Sequence, residues 1–131
     1  MKDYIKSRFS IRGFLRVLMG ILFILAGINH FVSPESYFPL IPPYLPNPEL
    51  LNLLSGALEV IFGAGLLTQK YRRWSAYGII GLMIVFIPAH VHHIQMDGCV
   101  SENICIPLWA AWLRLLIIQP LLILWAYYCR K

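Results

Sequence analysis

Four ionisable side chains stand in stretches otherwise too apolar to hold them: His30, Glu59, His90 and Arg114. A carboxylate can take and return a proton, an imidazole can hydrogen-bond a carbonyl, and a guanidinium can stabilise developing negative charge. Brought together in an apolar cavity, such groups suit a flat, apolar ligand bearing carbonyl oxygens, most simply a quinone. Asn29, Tyr37, Asn52 and Ser55 offer further hydrogen-bonding groups at compatible positions, His93 is a second histidine close to His90, and Trp112 offers a flat apolar surface. Such placement is costly, since an ionised group at the centre of a bilayer costs at least about 2.5–3.5 kcal/mol on insertion scales.

A plainer reading uses the same residues as interhelical glue, with Glu59 and Arg114 paired and two helices held in register. Metal or haem would have to draw on His30, Glu59, His90 and His93. No H-E-x-x-H or C-x-x-C-H motif supports it, so no metal site is expected. Cys99 and Cys105 are separated by five residues, a spacing that fits a structural disulfide in an oxidising compartment better than a redox-active pair. The third cysteine, Cys129, closes the last apolar run.

The elements that must position these groups follow from hydropathy. The chain has 131 residues, of which 59% are hydrophobic and 13% charged. Its mean hydropathy is +0.67. A bilayer span takes about 20 predominantly apolar residues, and four runs qualify, at residues 13–31, 50–68, 74–94 and 107–129. The expected fold is all-α, a single integral membrane domain over residues 1–131 built as a four-transmembrane-helix bundle.

Charge orients it. Lys2, Lys6, Arg8 and Arg12 precede the first run, Lys70, Arg72 and Arg73 separate the second from the third, and Arg130 and Lys131 follow the fourth. The two remaining loops carry only the acids Glu35, Glu49, Asp97 and Glu102. The positive-inside rule then predicts cytoplasmic N- and C-termini, with the two longer loops outside. The sequence pI near 9.3 accordingly points to anionic lipid rather than nucleic acid.

Small residues mark where membrane helices touch. Gly13, Arg16, Gly20, Phe23, Gly27 and His30 recur at three- and four-residue steps, and so do Asn52, Ser55, Gly56, Glu59 and Gly63. These stripes predict that His30 and Glu59 face protein. By helical rise His30 lies near the outer surface, His90 and Arg114 one to two turns in, and Glu59 deeper. Pro88 should bend the third helix and Pro120 should break the fourth near its middle. His90 and His93 lie about 60° apart on their helix and His92 elsewhere, so the three cannot all face inward. Trp112 and Gln119 share a helical face that could line a slot. Six prolines within residues 34–48, interleaved with Tyr37, Phe38, Leu40, Ile41 and Tyr44, predict a helix-free, apolar lid over the outer end.

The stretches "AGINHFVSPESYFPLIPPYLPNPELL", "SGALEVIFGAGLL" and "RRWSAYGIIGLMIVFIPAHVHH" resemble the DoxX-like family of small bacterial membrane proteins. The likeness runs over residues 13–95 and rests on a small-residue pair, His-Phe, a proline-rich loop, Ser-Gly-x-x-Glu, a basic turn and Pro-Ala. It implies a four-helix bundle in the bacterial cytoplasmic (inner) membrane. Some members look like the membrane subunit of a thiosulfate:quinone oxidoreductase or a partner of sulfur-handling enzymes, while distant animal relatives act as receptor assembly chaperones. Asn29, His30, Phe31, Pro34, Tyr37, Ser55, Gly56 and Glu59 occupy motif positions, without an established catalytic role.

Three functions therefore compete. The favoured one is a redox-linked oxidoreductase subunit that binds a quinone and borrows its electron carrier from a redox-enzyme partner. The second is a non-enzymatic assembly factor or accessory subunit with a structural polar core, and the third is acid–base chemistry on a sterol-like or isoprenoid lipid. The glycine stripes would serve a homo-oligomer as well as the bundle's own packing.

Overall fold

The computed structural model describes residues 10–131, so Lys2, Lys6 and Arg8 of the first basic segment lie outside the described residues. Four helices in it are long and apolar enough to cross a membrane.

The first, α1 (Ile11–Val32), begins where Ser10 accepts a hydrogen bond from the Gly13 N–H at 3.0 Å, which satisfies one of the donors every helix start leaves free. The second, α2 (Pro48–Leu66), starts two residues ahead of the predicted run. Asn47 adopts a left-handed conformation (φ 48°) and caps the Leu50 N–H, and Pro48 takes the first position, where no N–H is needed.

The third span is two helices, α3 (Arg72–Val85) and α4 (Ile87–Gln95), broken at Phe86. Pro88 has no N–H to give the carbonyl four residues back, and the break leaves the last carbonyls of α3 in need of other donors. The fourth span runs from Leu108 to Cys129 as α5 (Leu108–Leu113), a wide π-helical turn (Arg114–Ile118) and α6 (Gln119–Cys129). In that turn the Gln119 N–H reaches back five residues to the Arg114 carbonyl. The widening takes up the crowding that the Pro120 ring imposes on the preceding turn.

Two features depart from expectation. The proline-rich segment is not helix-free, because Pro34–Ser36 and Phe38–Leu40 each form a 3₁₀ turn. Proline excludes a helix interior but fits the first positions of a turn, where it stands in both. An antiparallel hairpin of β1 (Cys99–Ser101) and β2 (Ile104–Cys105) also follows α4, with Cys99 opposite Cys105 in a disulfide.

The most extensive helix contact is between α1 and α2. A Cβ added to Gly27 would lie 2.6 Å from the Gly56 carbonyl oxygen, and one on Gly63 2.7 Å from that of Gly20. Only glycine lets the two backbones come this close. The core of Met19, Phe23, Leu66, Ala76, Ile79, Leu82, Met83 and Ala126 fills the bundle on the side of the basic α2–α3 turn. Large apolar side chains such as Leu25, Ile61, Leu116 and Leu124 point outward from every span, a distribution that suits lipid contact.

Candidate functional site

The glycine contact seats His30. A Cβ on Gly56 would meet the His30 Cβ at 2.7 Å, so the imidazole lies directly over α2, one turn from Glu59. His30 stands in the last turn of α1, where carbonyls lack helical donors, and the Asn52 Nδ2 donates to its carbonyl at 2.9 Å. With its amide N–H so used, Asn52 turns its Oδ1 to the His30 Nδ1 at 2.6 Å. The Nδ1 is therefore the protonated nitrogen, because the oxygen opposite can only accept.

That tautomer determines the chemistry of the other nitrogen. The His30 Nε2 faces the Glu59 Oε2 at 3.5 Å, and with a neutral imidazole and an ionised carboxylate both atoms are acceptors. One shared proton resolves the conflict, as imidazolium with carboxylate or as imidazole with carboxylic acid. Both side chains are buried, and the Glu59 Oε2 has no hydrogen-bond partner among the described residues. Tyr37 stacks on the imidazole, centroids 3.7 Å apart, and its hydroxyl accepts from the Asn29 Nδ2 at 2.7 Å.

Arg114 is held from a different direction. Its Nη1 donates to the Gln119 Oε1 and the Gln119 Nε2 donates to the Met83 carbonyl. Met83 belongs to the last turn of α3, so the break near Pro88 supplies the acceptor that anchors the guanidinium. The anticipated Glu59–Arg114 pairing is absent among the described residues: Glu59 faces His30, and Arg114 is committed to Gln119.

Two cavities meet at Arg114. One, of about 240 Å³, is lined by His30, Tyr37, Asn52 and Ser55 on one side and by Pro88, Ala89 and His90 on the other. Leu40, Ile41, Pro42 and Leu45 of the proline-rich segment close over it, with Arg114 at its base. Ligand pockets usually run from about 300 to 1,000 Å³, so this one fits a single ring rather than an extended molecule. The other, of about 210 Å³, is lined by Glu59 and Arg114 together with Met19, Phe23, Ala26, Met83, Leu122 and Trp125. It lies between α1 and α6, which touch less extensively than α1 and α2, and the Trp125 Nε1 donates to the Leu15 carbonyl across the gap at 3.1 Å.

Of the ten residues singled out from the sequence, six line the first cavity: His30, Tyr37, Asn52, Ser55, His90 and Arg114. Glu59 lies behind His30, in the second. Asn29 is exposed and reaches the site only through Tyr37. His93 is buried elsewhere, its Nε2 2.8 Å from the Gly98 carbonyl, tying α4 to the start of the hairpin. Trp112 is exposed and lines neither cavity, whereas Gln119 is buried. The wide turn between them rotates one half of the span against the other by about 100°, so the face they share in a regular helix is divided. The bridging role of Gln119 was missed in the sequence, where its signal is a polar residue directly before Pro120 and opposite a second broken helix. No group of three His, Cys, Asp or Glu among the described residues is arranged to hold a metal ion.

Residues 19–130 match the family described as a domain of unknown function, DUF8561. No curated protein and no solved structure matches the chain.

Proposed function

The chain belongs to the DUF8561 family, a domain of unknown function, and we propose that it is a multi-pass membrane protein that binds the ring of a quinone or similar apolar carbonyl compound. The observation that carries this reading is the buried His30–Glu59 pair, an imidazole nitrogen 3.5 Å from a carboxyl oxygen that has no other partner among the described residues, beside a ring-sized cavity. His30 is committed to Asn52, Tyr37 and Glu59, so its part is to hold the Glu59 carboxyl in position. His90 and Arg114 face the cavity and supply the groups for a ligand carbonyl and for negative charge developing on it. A quinone taking up electrons needs protons, and Glu59, which lines the second cavity, is the group that would supply one. The apolar tail would leave between α1 and α6, along the second cavity. Electrons would come from a redox-enzyme partner, in keeping with the resemblance to DoxX-like proteins.

In this reading both termini and the Lys70–Arg73 turn face the cytoplasm of a bacterial cell, and the proline-rich lid and the hairpin lie outside. An impermeant thiol reagent added to intact cells after mild reduction should label Cys99 and Cys105. Labelling only after lysis would reverse the orientation.

The test of the ligand is native mass spectrometry of gently purified protein, with lipid extraction in parallel, on the wild type, Glu59→Gln and His90→Ala. A co-purifying quinone lost in both variants is the expected result. Empty wild-type protein, with both variants folded and functional in cells, would leave the second reading, an accessory subunit with a structural polar core. That alternative has its own support, since Asn52 bonds the His30 Nδ1, Tyr37 covers one face of its ring and Glu59 stands at its Nε2.

A further inference from the structure

At the other end of the bundle a cavity of about 480 Å³ forms where the α2–α3 turn meets the end of α6. Its wall carries five cations, Lys70, Arg72, Arg73, Arg130 and Lys131. They come from two segments far apart in the chain, brought together by the packing of α6 against α3 and by Arg16, whose Nη1 reaches the Lys131 carbonyl at 3.4 Å. Orienting a membrane protein requires cations in its loops, but it does not require them to converge on one hollow.

No acidic side chain offsets them among the described residues. Glu35, Glu49, Asp97 and Glu102 belong to the opposite end, and Glu59 is buried beside His30. The start of α3 adds to the imbalance. It has no side-chain cap and no acid in its first turn, and it places Arg72 and Arg73 where the helix dipole favours an anion. Five like charges around one cavity repel one another until a counter-anion enters. The rim identifies the source of that anion. Trp74 is 76% and Tyr71 51% exposed, and aromatic side chains of this kind sit at headgroup level on membrane proteins. Below them the exposed apolar face of α3 continues along the span through Tyr77, Ile84 and Val85.

We propose that this cavity is a site for the phosphate headgroup of an anionic phospholipid, with Arg72, Arg73 and Arg130 around the phosphate and the acyl chains lying along α3 beneath Trp74. It stands independently of the quinone reading, being at the other end of the molecule and sharing no residue with it.

Full-length protein in nanodiscs of phosphatidylcholine containing a minority of phosphatidylglycerol or cardiolipin provides the test, with retained lipid counted by native mass spectrometry. The anionic lipid should be retained preferentially. Arg72→Gln should lower that retention about fivefold, Arg72→Lys should largely keep it, and Arg12→Gln, which removes the same charge outside the cavity, should change it little. Equal losses for Arg72→Gln and Arg12→Gln would overturn the site in favour of bulk attraction. Failure of Arg72→Lys to retain lipid while its melting temperature is unchanged would also count against it. A final arm adds inorganic phosphate to detergent-solubilised protein. Stabilisation by phosphate without preference for anionic lipid would assign the cavity to a free anion and overturn the lipid assignment.

Discussion

On one side α1 meets α2 with backbones close enough that a single methyl group would strike a carbonyl, while on the other it meets α6 across a cavity spanned by the Trp125–Leu15 hydrogen bond. Lipid tails are as apolar as the side chains, so no hydrophobic expulsion drives either contact, and closeness has to be built from residue size. Gly20, Gly27, Gly56 and Gly63 build it on one side only. The tight side fixes geometry, because His30, Asn52 and Glu59 follow directly from the two glycine stripes. The loose side leaves space, and Glu59 turns toward it from behind the tight contact. A rigid dyad beside an open volume is the arrangement a binding site requires.

Neighbouring positions on α1 can break this contrast or sharpen it. Gly27→Leu should have the largest effect, since it forces apart two backbones with no room to yield. We expect a loss of more than about 3 kcal/mol, the upper end for overpacking, seen as failure to purify or a collapsed melting temperature in detergent. Ala26→Leu, one residue earlier, enlarges a side chain facing the second cavity. It should leave the melting temperature nearly unchanged while reducing co-purifying ligand, and a loss as large as that of Gly27→Leu would mean the two faces are equally tight. Asn52→Leu ranks next, at about 1–3 kcal/mol, because it strands the His30 carbonyl and Nδ1 in a buried setting. Ligand loss should accompany it, since the imidazole tautomer is no longer fixed. Glu59→Gln replaces the ionisable carboxyl with an amide of nearly the same shape. Its melting temperature should stay within a few degrees of wild type, and ligand-dependent activity in membranes should fall much further than stability. Gly81→Ala closes the series. Outside its own stretch of helix no atom lies within 4 Å of the added Cβ, so the change should be neutral or stabilise by up to about 1 kcal/mol, measured by the same melt.

The tight side was legible in the sequence and the loose side was not. Glycines spaced seven apart on two apolar runs identify facing stripes, because small residues serve few other ends in lipid. That placed His30 and Glu59 toward protein and near each other. The bond between Arg114 and Gln119 escaped because it depends on the π-helical turn, and nothing in "AAWLRLLIIQPLL" marks where the crowding from Pro120 will be taken up. Helical phase was therefore carried straight through from Trp112 to Gln119 and put both on one face. The 3₁₀ turns of the proline-rich segment escaped for a related reason. Proline rules out a helix interior, and that rule was applied to turns of three residues, which have no interior.

The wide turn Arg114–Ile118 also has a meaning in units of chain length. It amounts to one surplus residue stored in the middle of a span, and deleting a residue there would restore regular winding. The half of the helix bearing Trp109, Trp112 and Arg114 would swing by about 100° relative to the half bearing Gln119, withdrawing the guanidinium from both cavities. No side chain of the site need be replaced for this to happen. Members of the family could thus gain or lose the cation at the junction of the two cavities through a single-codon insertion or deletion, a change that residue-by-residue substitution would not reveal.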